Sequence, residues 1–176
     1  ALYSNPLFKN PRNGEMLRLL PKLLWKHCKR LIRNLIFKDQ WILMYSRSNS
    51  LSHSFCKFKK MTPPADRFWA DPFVITKNNK HYIYLEDADL KTGVGIISLI
   101  EMDQKGNYTS AKPIIERDYH LSYPFVFELD ERLYIIPDTH FNNTIEIYEC
   151  VSFPDKWEFK MNIMEKHHFR MNYYIS

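Results

Sequence analysis

Two hydrophobic periods divide the chain. Between Glu15 and Phe37, Leu20, Leu24, His27, Leu31 and Leu35 recur at spacings of four and three, with Leu17, Leu23, Cys28 and Ile32 beside them. That spacing puts one apolar stripe on a helix, and Lys and Arg fill the opposite side. This predicts a helix over about 15–37; Pro21 falls early in it, where proline suits a first helical turn and offers an alternative start near Leu20. From Gln40 onward the period changes. Short runs rich in Ile, Val, Phe and Tyr alternate with Asn, Asp, Pro and Gly, the pattern of strands and tight turns. The predicted strands are 41–46, 55–59, 73–76, 82–85, 94–102, 111–116, 125–128, 133–136, 144–151 and 157–161. No helical period appears after residue 40, so this part reads as all-β.

Within it the chain repeats itself. Pro72-Phe73-Val74 matches Pro124-Phe125-Val126, and Tyr82-Ile83 matches Tyr134-Ile135, both at an offset of 52. The turns between them, 77–80 and 129–132, are of equal length, and a third and fourth strand follow in each copy. Four antiparallel strands at a period of about 50 residues are the mark of propeller blades. The expected architecture is a partial β-propeller, of five-bladed type, behind a basic amphipathic helix, with a boundary at 38/39. Two blades and the outer strands of a preceding one (41–46, 55–59) do not close a ring. The chain is therefore expected to be a piece of a longer propeller.

Composition narrows the class. Four glycines in 176 residues exclude collagen-like and Gly-rich chains. No apolar run approaches the ~20 residues of a membrane span. Cys28, Cys56 and Cys150 lie far apart with no C-x-x-C pair, which excludes a disulfide framework and points to a reducing, cytoplasmic setting. Charge is uneven. Residues 13–38 carry seven Lys and Arg against one Glu, and Lys9 and Arg12 precede them, so residues 39–176 hold −3 of the total +5. A basic leader before a mildly acidic body argues against nucleic-acid binding by the body. The leader has two readings: a helix on an anionic membrane surface with Trp25 at the interface, or a helix packed on a neighbouring domain.

Blade geometry gathers residues at one end of the sheets. Those before strand one (Arg67, Trp69, Asp71; His120, Ser122, Tyr123) meet those after strand two (Glu86, Asp87, Asp89; Asp138, His140). Carboxylates, histidines and aromatic rings together suit sugar binding, with rings on the sugar face and carboxylates on hydroxyls. Glu86 and Asp138 are candidate acids, and Arg67, Trp69, Asp87, His120, Ser122, Tyr123 and His140 candidate substrate-binding residues. Plainer readings stand beside these: histidines satisfied in blade contacts, Trp69 and Trp157 as packing, Asp71 capping a turn. His167-His168 has no third ligand nearby, so no metal is expected and no cofactor is implied. Asn107-Tyr108-Thr109 and Asn142-Asn143-Thr144 match the glycosylation sequon, and no phosphate-cradling loop, G-x-S-x-G or H-E-x-x-H occurs.

Asp66-Arg67-Phe68-Trp69-Ala70-Asp71-Pro72-Phe73 and His120-Leu121-Ser122-Tyr123-Pro124-Phe125-Val126-Phe127-Glu128 resemble the N-terminal domain of glucosamine inositolphosphorylceramide transferases and its bacterial relatives, some joined to formyltransferase-like domains in surface-glycan synthesis. More distantly, Phe68–Val74 followed by Tyr82–Glu86 resembles five-bladed furanosidase-type propellers such as arabinanases and invertases. The resemblance covers roughly 40–164. It implies a catalytic base or nucleophile at Asp71, whereas the equivalent slot in the next blade holds Tyr123. It also leaves Glu149-Cys150 as an echo of an invertase acid. Hydrolysis needs two carboxyl groups flanking the bond, and only one is placed by motif. Two functions follow as expectations: a carbohydrate-binding or acceptor-positioning propeller in glycan or glycolipid synthesis, or a glycoside hydrolase. An interaction propeller is the third. Partners implied are a carbohydrate or glycolipid and further parts of the same protein.

Overall fold

Glu15 accepts a hydrogen bond from the Arg12 N–H at 2.9 Å, and the Arg12 carbonyl accepts from Glu15 and Met16. This reciprocal capping satisfies first-turn donors and starts helix α1 at Asn13, running to Ile36. The helix runs close to the span expected over about 15–37; the alternative start near Leu20 is corrected, since Pro21 lies inside the helix, where it removes one backbone bond. The computed structural model describes residues 12–36, 40–47 and 55–165. The chain divides into units 1–39 and 40–176, the first represented by α1 alone.

The second unit is built of strands β1 (Leu43–Tyr45), β2 (Lys59–Met61), β3 (Arg67–Lys77), β4 (Lys80–Asp89), β5 (Gly95–Asp103), β6 (Lys112–Ile115), β7 (Ser122–Leu129), β8 (Arg132–Asp138), β9 (Ile145–Ser152) and β10 (Lys156–Met164). Three antiparallel sheets result: β1-β2, the meander β3-β4-β5-β6 and the meander β7-β8-β9-β10. The strand expected over 55–59 is corrected as well. Phe55–Lys57 forms a 3-10 turn and pairing begins only at Lys59.

The 52-residue repeat is visible in backbone detail. Asn78 and Asn79 both take left-handed conformations between β3 and β4, and so do Asp130 and Glu131 between β7 and β8. Two consecutive left-handed residues close a tight hairpin whose twist matches the strands. Each inner strand also carries one bulge. Asp71-Pro72 intervenes between the Ala70–Glu86 and Phe73–Tyr84 pairs, and Tyr123-Pro124 between Ser122–Asp138 and Phe125–Ile136. The first bulged residue is left-handed in both, with φ 47° at Asp71 and 46° at Tyr123. Non-glycine residues adopt that conformation at a cost of about 1 kcal/mol or more.

Equivalent residues face the same way in both meanders. Trp69 and Ile83 pack toward β1-β2, in a core with Leu43, Met61, Leu85, Ile100 and Met102. Their counterparts Leu121 and Ile135 pack toward the first meander, in a core with Tyr82, Tyr84, Ile97, Leu99, Val126 and Tyr148. The first meander is therefore covered on both faces, which explains the unbroken buried run from Tyr82 to Ala88. Across the second core Tyr84 donates to the Pro154 carbonyl at 3.0 Å and meets Trp157 edge-on. Phe73 meets Tyr123 and Phe125 edge-on, so β3 and β7 lie against each other.

Candidate functional site

Two strand ends and two bulges meet where β3 and β4 of the first meander face β7 and β8 of the second. Glu86, on β4, has only 6% of its surface exposed. It lies within hydrogen-bonding reach of Asp71, which the β3 bulge turns outward. From the second meander, His120 brings Nε2 to 3.5 Å from Glu86 Oε1, and Asp138 adds its negative charge. Burial first, then the charge of Asp71, its hydrogen bond and the charge of Asp138, push the Glu86 carboxyl up to about 7. Near neutral pH Glu86 thus shares its proton with water while offering a donor to Asp71. The cluster presents donor and acceptor groups side by side.

His120 is held by backbone. Gly95 donates its N–H to His120 Nδ1 at 2.9 Å, and the Gly93 carbonyl is 3.1 Å from the same nitrogen. With Nδ1 turned to the backbone, Nε2 is the ring nitrogen that faces Glu86. Gly95 is required by space. A Cβ there would stand 2.5 Å from the Leu121 carbonyl oxygen and 2.9 Å from the His120 ring. The sequence reading passed over Gly95, although two of the four glycines lie within three residues of each other.

Around this cluster the second meander adds further polar groups. Asp138 accepts from the His140 backbone N–H at 2.9 Å and lies 3.1 Å from its ring. His140 and His120 both contact Phe141. Ser122 is the ladder partner of Asp138, and Tyr123 stands exposed beside Phe73. Beneath them Glu146 accepts from Tyr119 and Tyr148 at 2.5 Å each, from Thr144 at 3.0 Å and from Asn142 at 3.2 Å. Burial would raise this carboxyl, but those bonds outweigh it and hold it below the usual range. Glu146 ties the loop before β7 to the turn at His140–Asn142 and so fixes His120; the sequence reading did not single it out.

Three expected binding residues are placed elsewhere. Arg67, Trp69 and Asp87 lie on the opposite face of the first meander from Glu86. Arg67 Nε donates to Asp87 Oδ1 at 2.5 Å, and Ser98 donates to Asp87 Oδ2 at 3.1 Å. Trp69 is 4% exposed in the core toward β1-β2, with no hydrogen-bond partner for its Nε1 among the described residues. A ring so enclosed cannot stack on a sugar, which corrects that expectation. Asp89 binds the 91–92 backbone of its own turn. Glu149 is bonded by Lys160 at 2.6 Å and Arg132 at 2.8 Å at mid-strand, away from the cluster; the bond from Lys160 leads in holding it below its usual range. His167-His168 lies outside the described residues. Among the described residues no three His, Cys, Asp or Glu side chains are arranged to hold a metal ion. A hollow of about 480 Å³ lined by Tyr45, Val74, His81 and Met102 lies toward the β3–β4 hairpin and holds none of the clustered carboxylates.

The comparisons with known proteins bear on this same region. A protein called glucosamine inositolphosphorylceramide transferase 1 from Oryza sativa subsp. japonica is 26% identical over 100 residues, which are 56% of this chain and 13% of the rice protein. Its namesake from Arabidopsis thaliana is 29% identical over 100 residues, with the same shares. The matched stretch is thus a small part of each relative's length. No solved structure matches the chain. The family model described as glucosamine inositolphosphorylceramide transferase 1, N-terminal, matches residues 53–172, which include both meanders and every clustered side chain. Since that match takes in well over half of the sequence, the chain belongs to the family of glucosamine inositolphosphorylceramide transferase 1 N-terminal domains.

Proposed function

We propose that the two meanders are adjacent blades of a β-propeller whose channel end binds a carbohydrate, or the sugar headgroup of a glycolipid, and positions it for glycan or glycolipid synthesis. The propeller reading rests on equivalent faces pointing the same way and on inner strands lying side by side. The observation that carries the binding reading is the meeting of Asp71, Glu86, Asp138 and His120, drawn from both repeats and from bulged strand ends. Sugar hydroxyls need paired donors and acceptors, and a carboxyl that ionises near pH 7 beside further carboxyl oxygens supplies both. Tyr123 offers an exposed ring beside them. The relatives' names contain glucosamine, an amino sugar, and inositolphosphorylceramide, a phosphosphingolipid.

A second reading, glycoside hydrolysis, draws on Glu86 holding a proton near pH 7, as a general acid must. Against it, Glu86 lies within hydrogen-bonding reach of Asp71, whereas carboxyls that flank a glycosidic bond stand ~5 Å or more apart. The test is titration of the full chain with glucosamine, N-acetylglucosamine, myo-inositol and arabinose, followed by NMR shifts. Saturable binding that weakens at least about tenfold in Asp71→Asn with Asp138→Asn, at unchanged thermal midpoint, is expected. Release of aryl from an aryl-glycoside panel that stops in Asp71→Asn would establish the hydrolase. Neither binding nor turnover would leave an interaction module.

A further inference from the structure

Helix α1 gathers most of its leucines and most of its cations on different sides of its axis, with Leu19 falling among the cations. At 100° per residue, Leu17, Leu20, Leu24 and Leu31 fall within an arc of about 60°. Arg18, Lys22, Lys26 and Lys29 fall on the opposite side. Trp25 and Ile32 mark one boundary between the faces. The apolar side chains are open to solvent, with Leu17 69%, Leu24 62%, Trp25 72% and Leu31 50% exposed. The polar side carries one sign. Glu15, the sole acid of the helix, is taken up by the cap at Arg12. A helix that merely shows its polar face to water gains from alternating Glu and Lys at i,i+4, and this one has none. Its cations instead repel one another unless an anionic surface is present. At about 36 Å the helix is long, yet none of the described helices is long and apolar enough to cross a membrane.

We propose that α1 lies in the plane of a bilayer surface containing anionic lipid. Its leucine arc enters the acyl boundary, its lysines and arginines lie among the headgroups, and Trp25 sits at the interface between them. Charge complementarity selects this occupant. A single-signed cationic face opposite an apolar face, with tryptophan at the border, matches the layered polarity of a lipid surface. The inference uses no residue of the carboxylate cluster, so it stands or falls apart from the sugar reading.

The experiment is sedimentation of the full chain with phosphatidylcholine vesicles, with and without phosphatidylglycerol, at low and high salt. Binding is expected only with phosphatidylglycerol, weakened by salt. Each of Lys22→Gln, Lys26→Gln and Lys29→Gln should lower partitioning about fivefold. Leu24→Glu with Leu31→Glu should abolish it, while the thermal transition of the β unit stays unchanged. Asp71→Asn with Asp138→Asn should sediment as wild type. Equal binding to neutral vesicles, salt-insensitive binding, or no sedimentation at any lipid composition would overturn the proposal; the last points to a protein face as the helix's partner.

Discussion

Tyr84 and Ile136 occupy the same place in the two meanders, 52 residues apart, yet Tyr84 is fully buried and Ile136 half-buried. Phe73 and Phe125 differ in the same sense: Phe73 packs against a core, and Phe125 is 44% exposed. These residues share strand position and backbone path. What differs is the neighbour, because the first meander has a sheet on each side and, among the described residues, the second meets one only on the side of Ile135. The carboxylates repeat the lesson. Glu86 and Asp138 are equivalent, but Glu86 lies under His120 of the next repeat and is buried, whereas Asp138 is exposed beside His140 of its own. The chemistry of a repeated position is set here by the sheet laid over it.

Three measurements test that comparison. The largest effect is expected from Tyr84→Ala, which opens a cavity between the meanders and removes the bond to Pro154. It should cost about 3–5 kcal/mol in urea denaturation, against about 1 kcal/mol for Ile136→Ala. Equal losses would mean that the neighbouring sheet does not decide the matter. Next comes pH. Glu86 holds its proton up to about 7 in the folded chain against 4.5 in the reference state. Its contribution is complete below pH 4.5, where both states are protonated. Between those values the unfolded chain releases its proton first, so stability falls as pH rises, by up to about 3 kcal/mol. Glu86→Gln should flatten that slope and be more stable than wild type at pH 8, read as denaturation midpoints across the range. An unchanged slope would remove Glu86 as its source. Smaller again is Gly95→Ala, where the added methyl crowds Leu121 and His120. A loss of about 1–3 kcal/mol is expected. As His120 is forced away and water enters, the Glu86 carboxyl should titrate lower in a carbon-detected NMR series, and an unmoved titration would show that His120 does not shield it.

Much of this was legible in the chain itself. Runs rich in Ile, Val, Phe and Tyr, bounded by Asn, Asp, Pro and Gly, marked the eight strands of the two meanders, because pleated sheets favour β-branched and aromatic side chains and hairpins favour turn residues. The offset of 52 exposed the repeat, and blade geometry brought Asp71, Glu86, Asp138 and His120 to one end. Arg67, Trp69 and Asp87 escaped that reading for a specific reason. The bulge at Asp71-Pro72 inserts a residue and reverses the alternation, so Trp69 and Phe73, both at odd positions, point to opposite faces. Nor was the burial of Glu86 readable locally, since it depends on a loop from the other repeat admitted by the missing side chain of Gly95. At 55–59 the apolar run could serve a strand or a turn, and only pairing with β1 shows where the strand begins.

The shared orientation of the sheets reaches beyond these contacts. A stack whose members all face one way has a front that fits a back, not a front that fits another front. The joint between the two meanders is therefore one that a further copy of about fifty residues would fit without redesign. Such a chain grows by duplication as a course of bricks grows, each new member finding its seat already shaped by the last.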